Sequence, residues 1–124
     1  MRSVVLDCPD PMALASFYAR LLSGRVQAGR PDWCEVHIDG MHLKLAFQAV
    51  TDYQRPEWPD GLPQQLHLDL TVSDLESASR HAVELGATFL TGPVDEPGCV
   101  FVVHADPVGH PFCLCLDRPA PDVG

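Results

Sequence analysis

The stretch PQQLHLDLTVSDL, residues 63–75, decides the fold of this chain. Leu66, Leu68 and Leu70 alternate with His67 and Asp69, and such alternation is typical of a β-strand with one apolar and one polar face. The apolar face must be covered by another element. The polar face carries an imidazole and a carboxylate, which are groups able to bind a ligand.

A helix is predicted directly after this strand, and the same order of elements occurs earlier in the chain. In the segment LDLTVSDLESASRHAVELG, residues 68–86, Ser73 and Glu76 have the spacing of a capping box and Gly86 ends the helix. The segment VVLDCPDPMALASFYARLLSG, residues 4–24, has the same succession, with Asp10 as the cap. Asp10 and Asp74 are 64 residues apart, and this offset superposes the two segments. The chain therefore contains an internal repeat.

Three short strands are predicted after each helix, the last two joined by a tight turn. The turns are Asp39-Gly40 and residues 106–109. A shared Val-His-x-Asp pattern, starting at Val36 and Val103, aligns these strands at an offset of 67 residues. The pattern predicts an α+β fold with two tandem βαβββ modules whose curved mixed sheets form a shared cup. We expect one domain over residues 1–124, with module one at about 1–50, a Pro-rich linker at about 51–63 and module two at about 64–118.

Strand alternation predicts which side chains face away from the helices. We expect Phe101 and Val103 to pack under the second helix. The polar and aromatic side chains expected on the opposite sheet face are Trp33, Glu35, His37, Lys44, Gln48, His67, Asp69, His104 and Cys113. Two interpretations stay open for this face, because it is either the solvated side of a sheet or the concave lining of a ligand site.

Composition limits the classes of partner. The 124 residues carry a formal net charge of -9 and are 46% hydrophobic, which favours a soluble globular protein and disfavours binding to nucleic acid or to membrane surfaces. No apolar run is long enough to cross a bilayer, and the N-terminus lacks the pattern of a secretory signal. Five cysteines without framework spacing favour reduced thiols. These features predict a cytoplasmic protein.

On these motifs the chain resembles the vicinal oxygen chelate superfamily, which includes glyoxalase I, bleomycin-resistance proteins and extradiol dioxygenases. The motifs are the duplicated modules, DCPDPMALASFYARLLSG, PQQLHLDLTVSDL and ADPVGHPFCL. The segment PEWPDGLPQQLHLDL is most similar to the small glyoxalase-like branch. The resemblance implies a cup-shaped site, a small-molecule ligand and a homodimer.

The resemblance also implies where a metal would bind, since members that use one place a ligand on the first and last strand of each module. His67 and Cys113 match two of these positions, whereas Ser3 and the region of Lys44 match the other two. His67 and Cys113 are therefore the candidate ligands for a divalent ion such as zinc, nickel, manganese or iron. The alternative for His67 is a hydrogen-bonded histidine that lines the cup. Cys113 and Cys115 are either buried thiols or a metal-binding pair.

Two functions follow from the resemblance. The first is a metal-independent binding protein that holds a small organic molecule, with Trp33 stacking on it and polar groups of the cup fixing its orientation. The second is a metal-dependent lyase, isomerase or dioxygenase acting on a small oxygenated substrate, in which Glu35 or His67 is the catalytic group that moves a proton beside a carbonyl.

Overall fold

The computed structural model describes residues 1–64 and 66–118. The chain forms two compact units, Met1–Gln54 and the part that begins at Arg55. The first unit contains β1 (Ser3–Cys8), α1 (Pro11–Leu22), β2 (Arg25–Ala28), β3 (Trp33–His37) and β4 (Lys44–Ala49). The second contains β5 (Leu68–Thr71), α2 (Leu75–Leu85), β6 (Thr88–Glu96), β7 (Cys99–Ala105) and β8 (Pro111–Asp117). The predicted α+β fold of two βαβββ modules is confirmed.

Each unit has one mixed four-stranded sheet with the same strand order. The order is β1-β4-β3-β2 in the first unit and β5-β8-β7-β6 in the second. The first strand of each module pairs in parallel with the last, and the remaining neighbours are antiparallel. A parallel pair needs a long crossover connection, which the helix and the two intervening strands provide.

Helix α1 packs closely on the first sheet. The Asp10 carboxylate accepts a hydrogen bond from the Ala13 N–H at 3.3 Å, which satisfies one free donor of the first turn. Pro11 occupies the first helical position, where its missing N–H has no consequence. Tyr18 and Phe47 are fully buried and their rings stack with centroids 5.6 Å apart. This aromatic pair is the centre of the first core.

Helix α2 packs less completely on the second sheet. The cap is Asp74, which accepts from the Ser77 N–H at 3.1 Å, so the capping box predicted from Ser73 is one residue out of register. Gly86 ends the helix at φ 119°, as predicted. Ala82 is the one fully buried residue of this helix. None of the described helices is both long and apolar enough to cross a membrane.

The turn before β8 is held by a buried carboxylate. Asp106 is fully buried, and its Oδ1 accepts from the N–H groups of Val108 and His110 at 2.9 and 3.0 Å. Its Oδ2 lies 2.8 Å from His110 Nδ1. Arg55 donates to the Pro107 carbonyl at 3.0 Å and packs on the turn from outside. His110 is therefore part of the turn architecture.

Candidate functional site

A cavity of about 340 Å³ opens on the face of the second sheet that points away from α2. Its acidic and imidazole groups are His67, Asp69 and Glu96, and its thiols are Cys99, Cys113 and Cys115. Trp58 from the loop before β5, together with Phe101 and Val103 of β7, supplies apolar surface. This volume is within the range of small-molecule sites.

The opening stretch of sequence forms one wall of this cavity. His67 precedes β5 and Asp69 lies on it, so both side chains point to the same face. His67 Nε2 lies 3.5 Å from Asp69 Oδ1, and the two side chains are 45% and 64% exposed. Both groups are therefore accessible to a ligand. The predicted placement of His67, Asp69 and Cys113 on the face opposite the helix is what the structure shows.

Two of the cavity thiols, Cys113 and Cys115, have raised pKa values that favour the neutral form. Burial raises the pKa of Cys113 to about 12, and the nearby carboxylate of Asp69 adds to the shift. Burial also raises the pKa of Cys115, with a further contribution from Asp69. A thiol binds metal and attacks electrophiles as the thiolate, so Cys113 is poorly suited to either role in the native chain.

The first unit places a second polar group on the corresponding sheet face. Trp33 Nε1 donates to Glu35 Oε2 at 3.3 Å, and His37 Nε2 lies 3.3 Å from Glu35 Oε1. The hydrogen bond from Trp33 is the main cause that lowers the pKa of Glu35, and His37 and Lys44 contribute in the same direction. The lowered pKa makes Glu35 a weaker base. Gln48 lies beside Trp33 in the sheet.

The predicted position of His104 is wrong. His104 is fully buried on the side of the sheet that faces α2, where its Nε2 lies 2.9 Å from Ser79 Oγ and its ring stacks on Phe112 at 5.5 Å. It does not line the cavity. Phe101 and Val103, which were predicted under the helix, line the cavity instead.

The register of the sheets explains this error. Ala46 pairs with Glu35 in the first unit, and the corresponding Cys113 pairs with Val103 in the second. Val103 is therefore equivalent to Glu35, an offset of 68 residues rather than the 67 used above. A slip of one residue moves every side chain of a strand to the other face. Residues 100–103 read VFVV, so the alternation that would reveal the slip is missing.

Burial lowers the pKa of His104, and a dependence of stability on pH follows. The pKa of His104 in the folded chain lies below the ordinary histidine value of 6.5, so the unfolded chain binds more protons than the folded chain below about that pH. The contribution of neutral His104 to the free energy of unfolding is complete above that pH and is lost as the pH falls.

We expect the free energy of unfolding, measured in urea at pH 7.5 and pH 5, to fall less in His104→Gln than in the native chain. The difference cannot exceed about 1.4 kcal/mol per pH unit. His42→Gln, at an exposed position, is the matched control, and equal slopes for all three proteins would contradict the prediction.

The residues do not fit a divalent ion. In the first unit Ser3 pairs with Lys44 and Val5 with Ala46, so this part of the sheet presents an ammonium and two apolar side chains to a cation. In the second unit the thiol of Cys113 is held neutral. Residues 1–64 and 66–118 contain no group of three or more His, Cys, Asp or Glu side chains arranged to hold a metal ion, whereas a catalytic zinc site uses about three protein ligands.

Several lining residues were not predicted as site residues. Glu96 and Cys99 lie on either side of the β6–β7 turn, and Phe101 and Val103 lie on β7. The correct inter-strand register is the signal that identifies them, and the repeat alone does not contain it. Trp58, in the loop before β5, also lines the cavity.

The two βαβββ modules with mixed sheets and the match to a glyoxalase-like domain place the chain in the vicinal oxygen chelate superfamily. The sequence profile of the glyoxalase-like domain matches residues 3–115. The chain therefore belongs to the glyoxalase-like domain family. No curated protein sequence matches it significantly.

Solved structures share the fold at low sequence identity. A glyoxalase/bleomycin resistance protein/dioxygenase family enzyme from Burkholderia phytofirmans PsJN is 14% identical with a TM-score of 0.75, and the match covers 94% of this chain and 98% of that one. TnmS3, described as an antibiotic binding protein from Streptomyces sp. CB03234, is 20% identical with a TM-score of 0.67 over 95% of both chains. TioX from Micromonospora sp. ML1 is 16% identical with a TM-score of 0.66 over 94% and 97%.

Proposed function

We propose that this chain is a metal-independent small-molecule binding protein whose ligand is a small aromatic cation. The observation that carries the proposal is the cavity of about 340 Å³ on the open face of the second sheet, which joins Trp58 to the carboxylates of Asp69 and Glu96. Small-molecule binding agrees with the antibiotic-binding description of TnmS3, a structural relative.

The charge of the lining favours a cation. Asp69 and Glu96 are acidic, and the described residues that line the cavity include neither lysine nor arginine. The indole of Trp58 can stack on an aromatic ring and attract a positive charge through its π face, worth about 0.5–1 kcal/mol at an exposed site. Each exposed carboxylate adds up to about 1 kcal/mol. These contributions sum to about 0.5–3 kcal/mol, and a middle value of about 1.4 kcal/mol corresponds to a tenfold preference for a cation over an anion of the same shape.

The apolar part of the lining supports binding rather than catalysis. Phe101 and Val103 present hydrocarbon surface, and Cys113 presents an uncharged thiol. An aromatic ring of a ligand that packs against these groups loses its contact with water and meets no reactive side chain. The two groups predicted to move a proton are less suited to that role, because the pKa of Glu35 is lowered and the side chain of His67 is 45% exposed to solvent.

The test uses the cation N-methylquinolinium and the anion quinoline-6-carboxylate as probes of similar ring size. Trp33→Phe removes one of the two tryptophans, so the remaining fluorescence reports on Trp58. We expect the cation to quench this fluorescence and to bind about ten times more tightly than the anion in calorimetry, with and without EDTA. Asp69→Asn is expected to reduce the preference severalfold, whereas Asp39→Asn, at an exposed hairpin turn, is the matched control.

Several results would overturn this proposal. One is equal or tighter binding of the anion, and another is loss of cation binding in EDTA, which would show that a metal is required. Failure of the cation to change the fluorescence of Trp58 would also overturn the proposal. The homodimer and the cytoplasmic location stay predictions, and sedimentation velocity measures the first of them.

A further inference from the structure

A second and larger cavity lies on the opposite side of the second sheet, between α2 and strands β6 and β7. Its volume is about 730 Å³ and its lining is almost entirely apolar, with Leu75, Val83, Phe89, Val100, Val102 and Leu116 as the main contributors. Val83 and Phe89 are 47% and 48% exposed, so the cavity opens to solvent at these residues. None of these residues lines the site of the proposed function.

The two helices of the repeat cover their sheets to different extents. At the 64-residue offset, Leu14 and Tyr18 of α1, which are 1% and 0% exposed, correspond to Ala78 and Ala82 of α2. Tyr18 fills the first core by stacking on Phe47. Helix α1 has six buried residues, whereas Ala82 is the one buried residue of α2, so α2 covers its sheet less completely. Protein interiors are otherwise close-packed, and an apolar space of this size is a place where a ligand can bury hydrocarbon.

One polar group is built into the wall of the cavity. Ser79 lines it, and the Ser79 Oγ lies 2.9 Å from Nε2 of the fully buried His104. The other ring nitrogen of His104, Nδ1, has no hydrogen-bond partner among the described residues. The ring is wedged between Phe112 and Phe89, with centroids at 5.5 and 5.6 Å.

The unpaired Nδ1 of His104 decides the direction of the hydrogen bond between His104 and Ser79. If the Ser79 hydroxyl donated to Nε2, Nδ1 would carry a buried N–H with no acceptor, which is the rarer and costlier arrangement. With the proton on Nε2, His104 donates to Ser79 Oγ and Nδ1 is left as an acceptor. Burial lowers the pKa of His104 and keeps this ring neutral. The hydroxyl hydrogen of Ser79 is then free to donate to a molecule in the cavity.

We propose that this cavity is a second ligand site for a neutral, largely apolar small molecule. The ligand bears one hydrogen-bond acceptor, such as a ketone carbonyl, which accepts a hydrogen bond from the hydroxyl of Ser79. The volume is in the range of small-molecule pockets. The charged residues Glu76, Arg80 and Glu84 belong to the lining on the helix side, where they are exposed, and they frame an apolar interior. The site is independent of the proposed function, because the two cavities lie on opposite faces of one sheet.

The test uses PRODAN, a neutral naphthalene ketone whose emission shifts to the blue in apolar surroundings and to the red when its carbonyl accepts a hydrogen bond. We expect the native chain to bind one equivalent with a blue shift relative to water. In Ser79→Ala the affinity should fall about 2- to 10-fold, the equivalent of one net hydrogen bond, and the emission of the bound probe should shift further to the blue. Val102→Phe, which narrows the cavity, should weaken binding at least tenfold.

Two controls keep the test decisive. Val83→Glu places a charge at the exposed mouth and should weaken binding severalfold even if Val102→Phe does not fold, whereas Val26→Glu makes the same change at an exposed strand position of the first unit and should have no effect. Saturating N-methylquinolinium should not displace PRODAN. Displacement by that cation would overturn the second site, because both probes would then occupy the open sheet face.

Two further outcomes also overturn the proposal. The first is a Ser79→Ala variant with unchanged affinity and emission, since Ser79 would then not be the donor. The second is a dimer that Val83→Glu dissociates and that excludes PRODAN as the protein concentration rises. That result would show that the cavity is an interface between two copies of the chain.

Discussion

Replacing Asp106 with alanine is expected to lower the free energy of unfolding by about 3–5 kcal/mol. This is the range for removing one partner of a buried charged pair. The carboxylate is fully buried and accepts from two backbone N–H groups and from the His110 ring within 3.0 Å. Alanine leaves these donors without an acceptor, and each unsatisfied buried group costs about 1–3 kcal/mol. Urea denaturation at pH 7 measures the change.

Asp106→Asn separates hydrogen bonding from charge. The amide oxygen of asparagine can still accept from the N–H groups of Val108 and His110, whereas its NH₂ group cannot accept from the His110 ring. We therefore expect Asp106→Asn to lose clearly less stability than Asp106→Ala. Asp95→Ala is the surface control, because Asp95 pairs with Arg118 in the open and its side chain is 68% exposed. Equal stability of Asp106→Ala and Asp95→Ala would contradict the role of the buried carboxylate.

The second large expected effect is the low reactivity of Cys113 towards iodoacetamide. Its pKa rises from 9.0 to about 12, so its thiolate fraction at pH 8 is about a thousandfold lower than that of an unshifted thiol. A thiolate of higher pKa is more nucleophilic, with a Brønsted slope of about 0.4–0.5. The two effects together leave a rate about 30- to 60-fold lower than in the unfolded chain.

Peptide mass spectrometry after timed alkylation measures this ratio, with the same protein in urea as the internal reference. Fragmentation distinguishes Cys113 from Cys115. Asp69→Asn removes a negative charge that contributes to the raised pKa, and we expect it to increase the rate at Cys113 severalfold. Alkylation of native Cys113 as fast as in urea would show that the thiolate is accessible and would make Cys113 a credible metal ligand again.

The sequence predicted the faces of the first module correctly because β3 alternates in polarity. Cys34 and Val36 are buried against α1, whereas Trp33, Glu35 and His37 lie on the opposite side. The same reasoning succeeded for β5 and β8, where Leu68 and Leu70 alternate with Asp69, and Phe112 and Leu114 alternate with Cys113. It failed for β7, because four successive apolar residues have no polarity pattern to align.

The candidate site was therefore only partly predictable. His67, Asp69 and Cys113 were found from the strands that carry them, and each lies in the cavity of the second module. His104 was assigned to the wrong face, and Glu96, Cys99, Phe101 and Val103 were missed. The metal ligands implied by the family resemblance depend on side chains that this chain lacks at the matching positions of its first module.

The sequence by itself determined the two βαβββ modules, their helix boundaries to within a residue and the polar face of β5, because capping residues, turn residues and alternation are local properties. Only the tertiary structure decided which face of β7 lines the cavity and where α2 leaves space over its sheet. Strand register is set by hydrogen bonds to β8, a partner distant in sequence, and cavity volume is set by how closely two elements pack. Neither quantity is encoded in a local pattern of residues.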